Sequence, residues 1–194
     1  MRQSGSALLV YNSGVKKLSV VIVLAVVAIA GSVILSGRKP GSEIKQVMKI
    51  QSSAFNNNET IPVKYTCDGE NINPPLSFSD IPSDAKSLAL VMDDPDAPAG
   101  TWVHWTVWNI DPKTEGVDEN SKFEGAVEGH TSFGKPGYGG PCPPDREHRY
   151  FFKLYALDTE LSLDKSATKG ELERAMGDHI LAHTQLIGLY NRQK

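Results

Sequence analysis

The sequence predicts a mainly β domain preceded by one transmembrane helix. Three observations lead to this fold class. Short runs of β-branched and aromatic residues alternate with clusters of Gly, Pro, Asn and Asp, a pattern typical of strands joined by turns. An uncharged apolar run stands near the start of the chain, and only one segment further along has clear helix boundaries.

Composition narrows the class of protein. The chain has 194 residues, of which 40% are hydrophobic and 22% charged, enough for about one domain of ~150 residues and an additional segment. A formal net charge of -3 is too balanced for a nucleic-acid binder that depends on a basic surface. Two cysteines supply neither a disulfide framework nor a four-thiolate zinc site. The common phosphate-loop, dinucleotide, hydrolase-elbow and zincin motifs are also missing from the sequence.

The apolar run covers residues 18–35 and contains no charged residue. As a helix it would extend for ~27 Å, which nearly spans a bilayer. Basic residues flank it on both sides, so the positive-inside rule gives no orientation. We therefore expect a single-pass membrane protein with its domain outside the cytoplasm; the alternative is a secreted protein whose signal peptide is cleaved near Ala30.

The expected organisation follows from this run. It comprises an N-terminal tail at residues 1–17, the membrane helix at 18–35, a tether at 36–46 and a folded domain at 47–194. Strands are predicted at residues 61–66, 87–92, 102–110 and 149–157, with loops at 56–58, 67–75, 93–100 and 134–147.

One helix is predicted at residues 166–176. Thr168 precedes Glu171 by three positions, as in a capping box, and Gly177 follows as a stop. Periodicity alone does not decide between helix and strand for residues 180–190.

Two segments concentrate the residues that suggest chemistry. Residues 93–98 read DDPDAP and are followed by His104; residues 137–144 read GYGGPCPP and are followed by His148. Closely spaced carboxylates repel one another unless some meet a cation, and a histidine is the natural partner. A carboxylate on one ring nitrogen favours the protonated imidazole, and glycine-rich backbone can approach a ligand closely. Together these features predict an anion pocket.

The same segments carry a resemblance to a known family. DPDAP with WVHW, and GYGGPCPP with HRY, resemble the two signature regions of the phosphatidylethanolamine-binding protein family, in its bacterial and archaeal Raf kinase inhibitor-like branch. Longer segments such as YTCDGENINPPLSF and ATKGELERAMGDHILAHTQLIG extend the resemblance over residues 46–192. It implies a large antiparallel sheet, a small second sheet, short peripheral helices and a small pocket for phosphate-like anions.

The resemblance assigns the ligand-binding residues. They are Asp94, Asp96, His104, Gly140, Pro143, Pro144, His148 and Tyr150. Asp96 has an alternative role as a cap of its own turn. The sequence departs from many relatives at residues 145–147, which lack a glycine and add charge at the mouth of the pocket. One of the indoles of Trp102, Trp105 and Trp108 is expected to line the pocket.

Metal binding and a disulfide are the remaining questions. Asp94, His104 and His148 could form a facial metal triad, but the resemblance favours imidazoles that donate to an anion, so we predict no metal and no cofactor.

The resemblance also places the loops of Cys67 and Cys142 near the same end of the sheet, which allows a disulfide between them. Two unrelated buried thiols are the alternative.

The function expected from these features is a membrane-tethered binding or regulatory domain. Its partners would be a phosphate-type anion or lipid headgroup, the membrane through residues 18–35 and, as a further option, a protein. A hydrolase that uses His104 or His148 as general base with Asp94 is an alternative, and so is a protease or kinase inhibitor acting through its surface. We predict no enzyme, because Thr131, Ser132 and Cys142 are unconvincing nucleophiles.

Overall fold

Two β-sheets and one α-helix form the part of the chain that the computed structural model describes, residues 47–192. The strands are β1 (Lys49–Gln51), β2 (Glu59–Thr60), β3 (Leu76–Ser79), β4 (Ser87–Asp94), β5 (Trp102–Ile110), β6 (Gly116–Val117), β7 (Val127–Glu128), β8 (His148–Leu157) and β9 (Ile180–Tyr190). The helix is α1 (Lys169–Met176), and two short 3₁₀ turns lie at Val63–Tyr65 and Gly177–His179.

The larger sheet has six strands in the order β2-β9-β8-β4-β5-β7, and the smaller has three in the order β1-β3-β6. All neighbouring strands are antiparallel except β2 and β9, which are parallel. A mainly β fold with a large and a small sheet is therefore confirmed.

The strand β4 lies in the middle of the large sheet and is buried along its whole length. Because successive side chains of a strand point to opposite faces, its residues divide between two cores. Leu88, Leu90 and Met92 join the main core, to which the small sheet contributes residues such as Ile50 and Phe78. Ala89 and Val91 face a second core together with Leu172 and Met176 of α1.

The predicted helix is present with its cap. The side-chain oxygen of Thr168 accepts from the backbone N–H of Glu171, and the Glu171 carboxylate accepts from the backbone N–H of Thr168. The ambiguous segment at residues 180–190 is a strand, because it pairs with β8 over its length.

The strand predicted at residues 61–66 is wrong. Pairing with β9 stops at Thr60, and the chain turns into the 3₁₀ turn after Pro62. Proline has no backbone N–H to donate to a neighbouring strand, so it ends the ladder there. The predicted loop at residues 93–100 also starts later than expected, since Asp93 and Asp94 still belong to β4.

The fold class needs one correction. No helix within residues 47–192 is long and apolar enough to cross a membrane, and the eight residues of α1 extend for only ~12 Å. The predicted transmembrane helix and the single-pass membrane localisation are therefore not supported. The predicted tail, membrane helix and tether, at residues 1–17, 18–35 and 36–46, and the cleavage site near Ala30, lie outside the described residues.

Candidate ligand pocket at one end of the large sheet

A cavity of about 370 Å³ lies where β4 ends and β5 begins. Its wall is mostly apolar and contains two aromatic rings, those of Trp102 and Phe133, with Asp94 and His104 as its titratable groups. The complete lining is Asp94, Ala97, Pro98, Ala99, Trp102, His104, Phe133, Cys142 and Pro144.

A β-bulge places His104 in the cavity wall. Met92 of β4 pairs with Trp105, whereas Asp93 pairs with Val103, so His104 is the extra residue on β5. Bulges re-aim a side chain and are frequent beside binding sites. His104 is only 2% exposed and packs edge-to-face against Phe133 and Tyr150.

The ring of His104 is held in one orientation, and its burial favours the neutral form. Its Nδ1–H donates to the carbonyl oxygen of Gly139 at 2.6 Å. Burial lowers the pKa of His104 more than the nearby carbonyls and aspartates raise it. The nitrogen left for a ligand is Nε2, which carries a lone pair in this tautomer.

Asp93 and Asp94 sit next to each other on β4 but face opposite sides of the sheet. Asp93 is buried on the second-core side, where its Oδ2 lies 2.8 Å from Nζ of Lys153 and 2.7 Å from Nζ of Lys169. Asp94 faces the cavity, and its Oδ2 lies 2.7 Å from Nδ1 of His148. Strand geometry thus separates two carboxylates that are adjacent in sequence.

Asp96 has its own cation on β8. Its two carboxylate oxygens accept from Nη2 and Nε of Arg149 at 2.7 and 2.8 Å. These hydrogen bonds lower the pKa of Asp96 to about 2. Asp96 therefore holds the loop to the sheet, and the cap of this turn comes from Asp94, whose Oδ1 accepts from the Asp96 backbone N–H.

His148 lies between two carboxylates. Nδ1 donates to Asp94, and Nε2 donates to Oδ1 of Asp145 at 3.0 Å. Burial disfavours charge on this ring, but the hydrogen bonds to Asp94 and Asp145 outweigh it and raise the pKa of His148. A ring with a carboxylate on each nitrogen is an imidazolium, so the two histidines of the pocket differ in charge.

The glycine-rich loop forms a wall and uses its amides internally. The N–H of Gly139 donates to the His104 carbonyl, and the N–H of Gly140 donates to Oδ1 of Asn71 at 2.7 Å. A Cβ on Gly140 would lie 2.5 Å from the carbonyl oxygen of Tyr65. The loop therefore needs glycine there to pack closely, and these two amides do not face a ligand.

A disulfide joins this loop to the loop that follows the first 3₁₀ turn. Cys67 and Cys142 are bonded, with Cα atoms 5.4 Å apart. Cys142 also forms part of the cavity wall. The bond thus ties one side of the pocket to a segment 75 residues away in sequence.

Three of the predicted ligand-binding residues line the cavity: Asp94, His104 and Pro144. The other five do not form its wall: Asp96, Gly140, Pro143, His148 and Tyr150. Pro143 and Tyr150 are buried. Among residues 47–192, no group of three or more His, Cys, Asp or Glu is placed to hold a metal ion.

Trp102 is the indole that lines the pocket, whereas Trp105 and Trp108 lie in the two cores.

The sequence analysis missed two residues: Phe133, and Asp145 as the second partner of His148. Phe133 is 41% exposed, and no motif near it indicates its contacts with Trp102 and His104. Asp145 stood out in the sequence as an acidic residue where the chain departs from the family pattern. The sequence did not show that its side chain reaches His148.

Comparisons with known proteins show which family the chain resembles. The family model described as phosphatidylethanolamine-binding protein matches residues 51–191. The chain is 51% identical to a UPF0098 protein of Methanothermobacter thermautotrophicus over 150 residues, which are 75% of this chain and 99% of the relative. It is 45% identical to a UPF0098 protein of Pyrococcus horikoshii over 197 residues, 97% of this chain and 96% of the relative.

Two solved structures are similar. One is a phosphatidylethanolamine-binding protein homologue from Chlamydia trachomatis, with a TM-score of 0.74, 45% identity and coverage of 76% of this chain and 99% of that one. The other is YbcL of Escherichia coli, described as a member of the mammalian family, with a TM-score of 0.71, 29% identity and coverage of 76% and 100%.

Proposed function

Because the chain belongs to the phosphatidylethanolamine-binding protein family, we propose that it is a binding or regulatory domain whose pocket takes a small phosphate-type anion. The observation that carries this proposal is the position of His104. Its ring is buried in the cavity wall, and Gly139 fixes Nδ1 so that Nε2 is left for the ligand.

The chemistry of this nitrogen suits a phosphate group. A phosphate monoester has a second pKa of about 6, so a fraction of the molecules keeps a P–OH at neutral pH. Such a hydroxyl donates to neutral Nε2, and the charge of Asp94 is balanced by the His148 imidazolium behind it. Trp102 and Phe133 supply an apolar wall for the organic part of a phosphomonoester or headgroup.

We propose binding without catalysis, because the candidate nucleophiles are already engaged. Oγ of Ser132 accepts from the Val103 backbone N–H at 2.8 Å. Oγ1 of Thr131 donates to the Lys135 carbonyl at 2.6 Å, and Cys142 is in the disulfide. Nothing in the described surface selects a protease or kinase as a target, so the proposal stays with the small ligand.

Calorimetric titration of the full-length chain with O-phosphorylethanolamine and inorganic phosphate tests the proposal. His104→Ala should weaken binding at least about tenfold, because a hydrogen bond to a charged ligand contributes about 1.5 to 3 kcal/mol. His183→Ala is the matched control, since this histidine is exposed on β9 and should leave affinity unchanged. Equal binding by the wild type and His104→Ala, or no binding of either ligand, would contradict the proposal.

A further inference from the structure

A half-exposed carboxylate covers a fully buried imidazolium at the edge of the pocket. The side chain of His148 is 0% exposed, whereas that of Asp145 is 48% exposed. Their hydrogen bond, from Nε2 to Oδ1, measures 3.0 Å. The cation is thus hidden from solvent while its anionic partner remains at the surface.

The donors that hold Asp145 are those that bind oxyanions in general. Besides His148, the backbone N–H of Arg146 donates to Oδ1 at 2.9 Å and its Nη1 donates to Oδ2 at 2.9 Å. An imidazolium, a guanidinium and a backbone amide on one acceptor form a typical set for a carboxylate or phosphate group. The carboxylate of Asp145 therefore occupies a position with the chemistry of an anion-binding subsite.

Two neighbours of this subsite belong to the cavity wall. Pro144, the residue before Asp145, is part of the cavity wall. Asp94, which holds the other nitrogen of His148, is part of that wall as well. If the Asp145 side chain moved out to solvent, Nε2 of His148 would be free to donate to another anion at the position of that carboxylate.

We propose that Asp145 is a tethered competitor for the ligand, and that a phosphate-type or carboxylate anion binds at His148 by taking its place. This inference rests on the proposed function. The exchange keeps an anion beside His148, so the buried imidazolium is not left without an acceptor on Nε2. It also releases Arg146 from its own neighbour, so that the guanidinium can follow the incoming anion.

The exchange has a quantitative signature. When only a fraction of the free protein is open, the apparent dissociation constant is the intrinsic one divided by that fraction. The Asp145 carboxylate is half-exposed, so water competes with His148 for its oxygens, and a closed fraction of about nine in ten reduces affinity about tenfold. Since the open fraction is a property of the free protein, the factor is the same for every competing anion.

The affinities of the full-length chain for inorganic phosphate and for sulfate test this inference. Asp145→Ala should tighten both about tenfold, by the same factor. Glu147→Ala is the matched control, because it removes the same charge from the same exposed loop at a residue with no hydrogen bond to His148. Its effect should stay below about twofold, as screening predicts for an exposed charge.

The possible outcomes separate the two proposals. If the wild type binds both anions and Asp145→Ala binds them equally or more weakly, Asp145 is not a competitor for the ligand. The proposed anion pocket is then unaffected. A gain in affinity for only one anion, or an equal gain in Glu147→Ala, would also contradict the competitor role of Asp145. If neither protein binds either anion, the proposed function and the competitor fail together. Asp145→Asn, which keeps the shape of the side chain, replaces the alanine variant if that variant does not fold, and should show a smaller gain for both anions.

Discussion

The two histidines of the pocket differ in charge because their ring nitrogens have different partners. His104 has a backbone carbonyl on one nitrogen and is desolvated, so its pKa is lowered. His148 is equally hidden but has a carboxylate on each nitrogen, so its pKa is raised. From the sequence, both imidazoles are expected to donate to an anion. The lowered pKa of His104 instead favours its neutral form.

Because burial favours the neutral form of His104, we expect the affinities for phosphate monoesters and for sulfate to respond differently to pH. O-phosphorylethanolamine can donate a proton to Nε2 at neutral pH, whereas sulfate has none to donate and needs the imidazolium. Sulfate affinity should therefore rise as pH falls from 8 to 5, by at most about tenfold per pH unit while the pH exceeds the lowered pKa of His104. Calorimetry at several pH values measures this slope.

The control for this slope is His104→Ala, which should bind sulfate weakly and with a much smaller pH dependence. At pH 6, where about half of the O-phosphorylethanolamine keeps its P–OH, it should bind the wild type more tightly than sulfate does. A sulfate affinity that is flat from pH 5 to pH 8 would remove His104 as the group that meets the anion.

At the scale of the element, a strand could be predicted from the sequence where its own residues determine its bounds. The Trp and Val pattern of residues 102–110 gives β5 with its observed bounds. The bulge at His104 was not predictable, because a bulge is a property of how two strands pair. The strand proposed at residues 61–66 failed for a related reason: its β-branched residues fit a strand, but Pro62 interrupts the pairing with β9.

We expect that removal of the disulfide between Cys67 and Cys142 lowers the stability of the fold and leaves the pocket intact. Its removal in Cys67→Ser/Cys142→Ser should lower the free energy of unfolding by about 2 to 4 kcal/mol, since the bond closes a long loop in the unfolded chain. Binding should survive, because hydrogen bonds from Cys67 N–H to the Pro141 carbonyl and from Tyr138 to the Tyr65 carbonyl hold the same loops together. Urea unfolding and phosphate titration measure the two effects.

Reduction provides the control for this variant. Dithiothreitol should destabilise the wild type by a similar amount and leave the double serine variant unchanged. Equal stability of the oxidised and reduced wild type would contradict a contribution of the bond to folding, and loss of phosphate binding in the folded variant would show that the bond itself positions the pocket.

At the scale of the whole molecule, ion pairs fix the pocket end of the large sheet. Asp93, Asp94 and Asp96 each have a cation from another part of the chain, and β8 supplies one to each of them. The sequence predicted that the aspartates need partners and that a histidine is one of them, without choosing between His104 and His148. It could not predict Lys153 and Arg149, because those contacts depend on which strands are neighbours in the sheet.

The free energy of unfolding should therefore depend on pH through Asp96. Its pKa is about 2 in the folded protein, against 3.8 for an aspartate free in solution, mainly because of the hydrogen bonds from Arg149. A depressed pKa gives stability that is present above the unfolded value and is lost as pH falls through the folded one. Asp96→Asn should cost about 1 to 2 kcal/mol at pH 7, after allowance for partial exposure, and the difference from wild type should shrink as pH falls below about 4. Urea unfolding between pH 7 and pH 3 measures it, with exposed Asp84→Asn as the control. A difference that stays constant over this range would assign the loss to packing of the loop, and the ion pair with Arg149 would not be its cause.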